Sequence, residues 1–235
     1  MMLGARTGAW AKSGSGAPTA RDYVQDGLIA MWDGIENAGW GVHDPNATVW
    51  KDLSGNGYDL VVSDVTKWED DRINCGKRIA FFNEGSIHYN TIECCLHQTA
   101  YENNSRVAIA SGDGRFIIFS SGGMVEVQFA SGARKGYRRS VSWGSGEDAT
   151  LSAYVDDNYN VSNVHENANV CEISNYSNTW GNGDGRFSVG NRSDTNESNY
   201  AFKGWIYCLR LYNRALTDFE ITANYSVDKA RFNLP

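Results

Sequence analysis

Sugar recognition asks for two kinds of side chain at once: an aromatic ring to lie against the apolar face of a pyranose, and Asn, Asp or Arg groups to bond its hydroxyls. This chain of 235 residues carries 8 Trp and 12 Tyr among many Asn, Asp and Ser. Trp40, Trp68 and Trp180 fall in stretches read as loops, and Tyr176-Ser-Asn-Thr-Trp180 with Asn191-Arg192-Ser-Asp194 is both aromatic and polar. Trp40, Trp68, Tyr176, Trp180, Asn191, Arg192 and Asp194 are therefore the candidate glycan-binding residues. Loop tryptophans also cap the ends of sandwiches and line subunit interfaces, where aromatics are enriched. Trp32, Trp50, Trp143 and Trp205 are expected to fill the core.

Catalytic motifs do not appear. The sequence has no Gly-x-Ser-x-Gly elbow, no His-Glu-x-x-His pair and no Walker loop. His43, His88, His97 and His165 are scattered without ligand spacing. The chain is expected not to be an enzyme. Its five cysteines, Cys75, Cys94, Cys95, Cys171 and Cys208, are odd in number and lack metal-ligand spacing. Cys94 and Cys95 are adjacent, so on a strand they point to opposite faces, an awkward start for a disulfide framework. Reduced, mostly buried thiols and assembly in a reducing cytoplasm are expected. With 21 Lys and Arg against 28 Asp and Glu, the net charge of −7 argues against nucleic acid as the partner. No stretch approaches the ~18 apolar residues of a membrane span, so membrane insertion is not expected. Residues 1–20 lack the apolar run of a signal peptide.

The elements that must position these groups read as strands. Residues 1–25 form a Gly/Ala/Ser-rich arm, flexible in isolation, and residues 26–235 a single all-β domain. Strand character appears at 27–32, 78–82, 86–93, 106–110, 116–120, 124–130, 138–143, 150–155, 187–190 and 205–212. Asn56-Gly57, Gly122-Gly123 and Asp156-Asp157-Asn158 supply turns. One helix follows the last strand. Thr217-Asp-Phe-Glu220 has capping-box form, and Phe219, Ala223 or Tyr225 would pack on a sheet. Many evenly spaced strands with one terminal helix describe a sandwich.

Gly204-Trp-Ile-Tyr-Cys-Leu-Arg-Leu-Tyr-Asn-Arg-Ala-Leu-Thr-Asp-Phe-Glu-Ile with Asn224-Tyr225 resembles the closing signature of laminin-G-like jelly-roll domains in the concanavalin A-like lectin/glucanase superfamily. Gly27-Leu-Ile-Ala-Met-Trp32 and Trp50-Lys-Asp-Leu-Ser-Gly-Asn56 resemble their opening, so the resemblance covers about residues 26–232. It implies a concanavalin A-like jelly-roll β-sandwich, an all-β fold with one short C-terminal helix. A glucanase of that superfamily would place its carboxylates on one strand in a Glu-x-Asp-x-x-Glu-like run. This chain offers only Glu126 alone and Glu69-Asp70-Asp71 in a loop. Related lectins often hold calcium at the sandwich rim, which Asp52, Asn56 and Asp59, or Asp156, Asp157 and Asn158, could supply with oxygens.

The segment 33–46 resembles the version found in phage and prophage proteins of gut bacteria. The resemblance therefore implies a non-enzymatic accessory structural protein of a bacteriophage virion, made in the host cytoplasm and displayed on head or tail. Its arm, through Arg6, Trp10 and Lys12, would dock on other virion proteins. Its sandwich, alone or as a homo-oligomer, would face cell-surface or mucosal glycans. The alternatives are a bacterial carbohydrate-binding module or adhesin, extracellular or at the cell surface, and a degenerate glycosidase.

Overall fold

The computed structural model describes residues 16–63, 68–75, 80–82, 87–99, 106–110, 117–121, 124–128, 135–140, 147–157, 161–172, 174–175, 186–191 and 201–235. The strands in chain order are β1 (Leu28–Asp33), β2 (Val49–Trp50), β3 (Leu60–Val62), β4 (Ile73–Cys75), β5 (Ala80–Phe81), β6 (Thr91–Gln98), β7 (Arg106–Ala110) and β8 (Ile117–Ser121). They continue as β9 (Met124–Gln128), β10 (Lys135–Ser140), β11 (Glu147–Val155), β12 (Val161–Glu166), β13 (Asn169–Val170), β14 (Ser174–Asn175), β15 (Ser188–Val189) and β16 (Gly204–Tyr212). One helix, α1 (Asp218–Phe232), follows the last strand. The first sheet runs β1-β16-β6-β11-β12-β13 with β4 also on β16, and the second runs β14-β10-β9-β8-β7-β15-β5-β3-β2. The described residues thus form a jelly-roll β-sandwich closed by a C-terminal helix.

Alternation builds the core. In β1, Ala30 and Trp32 face inward and Met31 and Asp33 outward. Trp32, Leu96 and Leu209 of the first sheet share one apolar cluster with Leu60, Ile109 and Val189 of the second. Trp32 stacks on Phe187 at 5.4 Å, and Trp50 meets Trp68 edge-on at 5.2 Å. Each buried indole N–H keeps an acceptor, Tyr58 O for Trp32 (2.9 Å), Asp33 O for Trp50 (3.0 Å) and Ala47 O for Trp68 (2.9 Å).

Several elements differ from the sequence pattern for physical reasons. The strand expected at 86–93 starts at Thr91 and continues to Gln98. It lies between β16 and β11 and is buried on both faces except at His97, so no alternation marks it. The hairpin β12–β13 was not legible: Asn167 and Ala168 turn it at positive φ without a glycine. In β16 the register slips between Ile206 and Cys208, a bulge that places Tyr207 and Cys208 in one cluster with Cys95, Phe232 and Leu234.

Helix α1 covers the outer face of the first sheet with a polar inner side. Its buried residues are Ile221, Asn224, Asp228 and Phe232, whereas Phe219, expected against the sheet, is 71% exposed. Beneath it Arg210 Nε donates to Glu93 Oε2 (3.0 Å), and its Nη1 and Nη2 donate to both oxygens of Asp228 (2.7 and 2.9 Å). All three are 0% exposed. Burial pushes the Glu93 carboxyl up. Burial also opposes the charge on Arg210, but Asp228 and Glu93 outweigh it and hold the guanidinium protonated.

The segment before β1 locks into this network. Tyr23 O–H donates to Asp228 (2.7 Å), Val24 N–H donates to Asn224 Oδ1 (2.8 Å), and the Arg210 guanidinium lies 4.1 Å over the Tyr23 ring. Ala20 and Tyr23 are buried, so the packed body begins near Thr19, ahead of the boundary drawn at residue 26. Arg6, Trp10 and Lys12 lie outside the described residues.

Candidate functional site

Past the C-terminal end of α1, the outer face of the first sheet carries one row of chemically active side chains. Register places Trp205 opposite Asn74 on β4 and opposite His97 on β6, and His97 opposite Asp148 on β11. Directly opposed residues share a face. Four strands thus deliver Asn74, Trp205, His97 and Asp148 side by side. Trp205, expected in the core, is half-buried here instead, because its place on β16 points away from the second sheet.

The turn between Trp68 and Ile73 folds over this row. Glu69 N–H donates to the Arg72 carbonyl at 2.9 Å, closing the turn. The Trp205 indole N–H donates to Glu69 Oε1 (2.6 Å), and Arg72 Nε donates to Glu69 Oε2 (2.7 Å). The Arg72 guanidinium lies 4.4 Å over the Trp205 ring, and its Nη1 donates to the Tyr207 hydroxyl at 2.9 Å. Tyr207 in turn donates to Asp148 Oδ1 (2.9 Å), the oxygen that also meets His97 Nδ1 at 2.8 Å. Plain alternation makes this chain of contacts, since Trp205 and Tyr207, two residues apart on β16, share the outer face with Ile206 inward between them, and the bulge then keeps Cys208 on that face too. Gly34 supports the turn from behind: a Cβ there would run into the Asp71 carbonyl.

Glu69, Asp70, Asp71 and Arg72 line an open depression of about 500 Å³. Partial burial pushes the Glu69 carboxyl up, but hydrogen bonds from Arg72 and Trp205 and the charge of Arg72 prevail and hold it below the ordinary carboxylate range. Asp71 is pushed up, first by burial and then by the neighbouring charges of Glu69 and Asp70, against the pull of Arg72. Burial and Asp148 push the Tyr207 phenol well up, so it stays a neutral donor. The depression therefore offers an ionised acceptor and a fixed cation, with the Trp205 indole held beside it by Glu69 and Arg72. One indole face already carries Arg72, so a polyol here would be read through its hydroxyls more than by stacking.

Of the residues proposed for glycan contact, Trp40, Trp68 and Asn191 lie among the described residues. Trp40 is half-buried in the 34–48 loop with Arg21 at 4.0 Å over its ring, packed near Ala20, Tyr23 and Leu53. Trp68 is 8% exposed in the core between the sheets, and Asn191 is 0% exposed, its carbonyl accepting from Ser188 Oγ at 2.8 Å. Neither offers a free side-chain face to solvent. Tyr176, Trp180, Arg192 and Asp194 lie outside the described residues.

The oxygens proposed for calcium hold the 51–59 turn. Asp52 accepts from Met31 N–H (3.0 Å), Ser54 N–H (2.9 Å) and Tyr58 N–H (3.1 Å). Asp59 accepts from Asp52 N–H (2.9 Å) and Lys51 Nζ (2.6 Å), and Asn56 donates to the Ile29 carbonyl (3.0 Å). Among the described residues, no group of three or more His, Cys, Asp or Glu side chains is placed to hold a metal.

Trp205, Tyr207, His97 and Asp148 were missed as site residues because their grouping depends on the register between β16, β6 and β11. The proximity of Glu69 and Arg72, three residues apart, was the one local signal. No protein-family model and no curated protein matches the sequence. Solved structures do match in shape. A Trypanosoma rangeli sialidase in complex with sialic acid superposes at TM-score 0.60 with 15% identity, over 92% of this chain and 34% of the sialidase. The receptor binding domain of botulinum neurotoxin C/D mosaic serotype superposes at 0.55 with 13% identity, over 86% of this chain and 52% of that one. The chain spans about a third of the sialidase. At these identities the likeness is one of fold: this is a jelly-roll β-sandwich.

Proposed function

We propose that this chain is a non-enzymatic carbohydrate-binding module that holds a glycan at the depression beside Trp205. The observation that carries the reading is the Glu69–Arg72–Trp205–Tyr207–Asp148 chain, in which a cation, carboxylates and aromatic rings are fixed by one another at the rim of an open surface. Such pre-set polar groups orient sugar hydroxyls without first paying to order themselves. The fold supports the reading by analogy, since the matched sialidase is seen with sialic acid and the matched toxin domain is a receptor-binding one. Hydrolysis of a glycosidic bond needs a protonated carboxyl to donate to the leaving oxygen. Glu69 is held ionised by Arg72 and Trp205, which suits binding and not acid catalysis.

The sequence resemblance at 33–46 extends this to a second reading, a laminin-G-like module displayed by a bacteriophage virion. Display in many copies would let weak contacts add up through avidity.

A glycan array probed with the full chain, oligomerised on a multivalent carrier, tests the proposal. Binding to at least one glycan is expected, with Trp205→Ala and Arg72→Ala each losing about tenfold or more in affinity, as removal of a charge-assisted hydrogen bond implies. Circular dichroism of both variants separates lost contact from lost fold. Absence of binding to any glycan, or full binding by both folded variants, overturns it.

A further inference from the structure

Strands β6 and β16 bring two cysteines face to face beneath α1. Cys95 and Cys208 are direct register partners in the antiparallel ladder. Both are 0% exposed and share one cluster with Tyr207, Phe232 and Leu234. Opposed residues of an antiparallel pair hold their Cα atoms about 4.5–5.5 Å apart, inside the ~4.4–6.8 Å that a disulfide spans. Their common face supplies the second requirement, side chains that point the same way.

Among the described residues, no other two cysteines are direct register partners. Cys94 faces the core between the sheets and stands opposite Leu209. Cys75 stands opposite Gly204. Cys171 follows β13 and donates to the Asn169 carbonyl at 3.5 Å.

We propose that Cys95 and Cys208 form a disulfide when the chain folds in an oxidising environment, cross-linking β6 to β16 beneath the helix. With a small-molecule disulfide such as oxidised glutathione as oxidant, one cysteine loses its proton and its sulfur attacks the glutathione disulfide. A glutathione thiolate leaves and takes up a proton. The second cysteine, deprotonated in turn, attacks the protein sulfur of the mixed disulfide and releases the second glutathione. Two protein thiols lose two electrons and two protons in all, and one glutathione disulfide becomes two thiols.

The fold also sets when this happens. In the packed molecule burial pushes the Cys95 thiol well up, and the neighbouring Cys208 adds to the shift, so little attacking thiolate exists. Closure therefore precedes the docking of α1, or waits for the helix to lift. Oxidation removes the S–H by which Cys208 donates to Asp228 at 3.4 Å. Arg210, Tyr23 and Thr150 still hold that carboxylate, so the network beneath the helix survives the cross-link.

The test is to refold the full chain in a mixture of reduced and oxidised glutathione, alkylate the remaining thiols, digest and map the peptides by mass spectrometry. The expected product links Cys95 to Cys208, two hydrogens lighter than the thiol form, with Cys75, Cys94 and Cys171 alkylated. Cys94→Ser should keep the link, and Cys208→Ser should lose it. Mapping the unaltered chain makes the test independent of whether a variant folds. A link between any other pair, or five alkylated cysteines, overturns the proposal.

Discussion

Glu220 shows how a single side chain can be committed twice. Its carboxylate accepts from both guanidinium nitrogens of Arg214 (3.0 and 2.7 Å) and from the Thr217 backbone N–H (2.9 Å) at the helix start. Arg214 above all, helped by the Thr217 bonds and opposed by partial burial, lowers its pKa to about 2. A carboxyl whose folded value is depressed adds stability above its unfolded value of about 4.3, and that stability drains away as pH falls through the folded value. Acid titration of the unfolding midpoint should therefore show a loss between about pH 4.3 and pH 2. Glu220→Gln should flatten that part of the profile while lowering stability at neutral pH. An unchanged profile in the variant would mean the pair is too exposed to matter. At this scale the sequence was legible wherever a side chain acts on its own neighbours. The capping box of Thr217 and Glu220 is one case, and the opposite facing of Cys94 and Cys95 is another. It was opaque where partners come from distant strands, as with Arg72 and Tyr207, which are 135 residues apart.

Helix α1 is the element least like its sequence pattern. An amphipathic helix would bury Phe219 or Tyr225, but this one turns Asn224 and Asp228 inward because the sheet beneath it presents Arg210 and Glu93. A buried ion pair gains little net energy over apolar packing, yet removing one partner strands the other without water. Asp228→Ala should therefore cost about 3–5 kcal/mol, read as a lower urea midpoint. Tyr23 fluorescence is one of many signals, so detachment of the helix is better followed by proteolysis at the C-terminal end. Equal midpoints for variant and parent would sink this account. Periodicity alone could not reveal such a helix, since its inner face reads as polar until the charge it meets is known.

For the whole molecule, the first and last strands are neighbours. β16 pairs with β1 on one side and β6 on the other, so it sits inside the first sheet and joins parts of the chain far apart in sequence. A chain ending at residue 203 would take β1's ladder partner away, open one edge of β6, which keeps β11 on the other, and lose Arg210 from the network. It is expected to show no cooperative unfolding transition by calorimetry or urea titration, and a sharp transition would contradict the topology. The sandwich was legible because turn residues and β-rich runs recur along the chain. The place of the candidate site was not, because a row across β4, β16, β6 and β11 is a property of the sheet and of no single segment.

The β1–β16 pairing also has a meaning for biosynthesis. At about 5–20 residues per second on a ribosome, β1 is made many seconds before its partner. Through that interval its unpaired N–H and C=O groups, and those along one edge of β6, are open to pairing with other nascent chains. A holding chaperone during translation would shield them, and the emergence of β16 would be the moment at which the first sheet can first close.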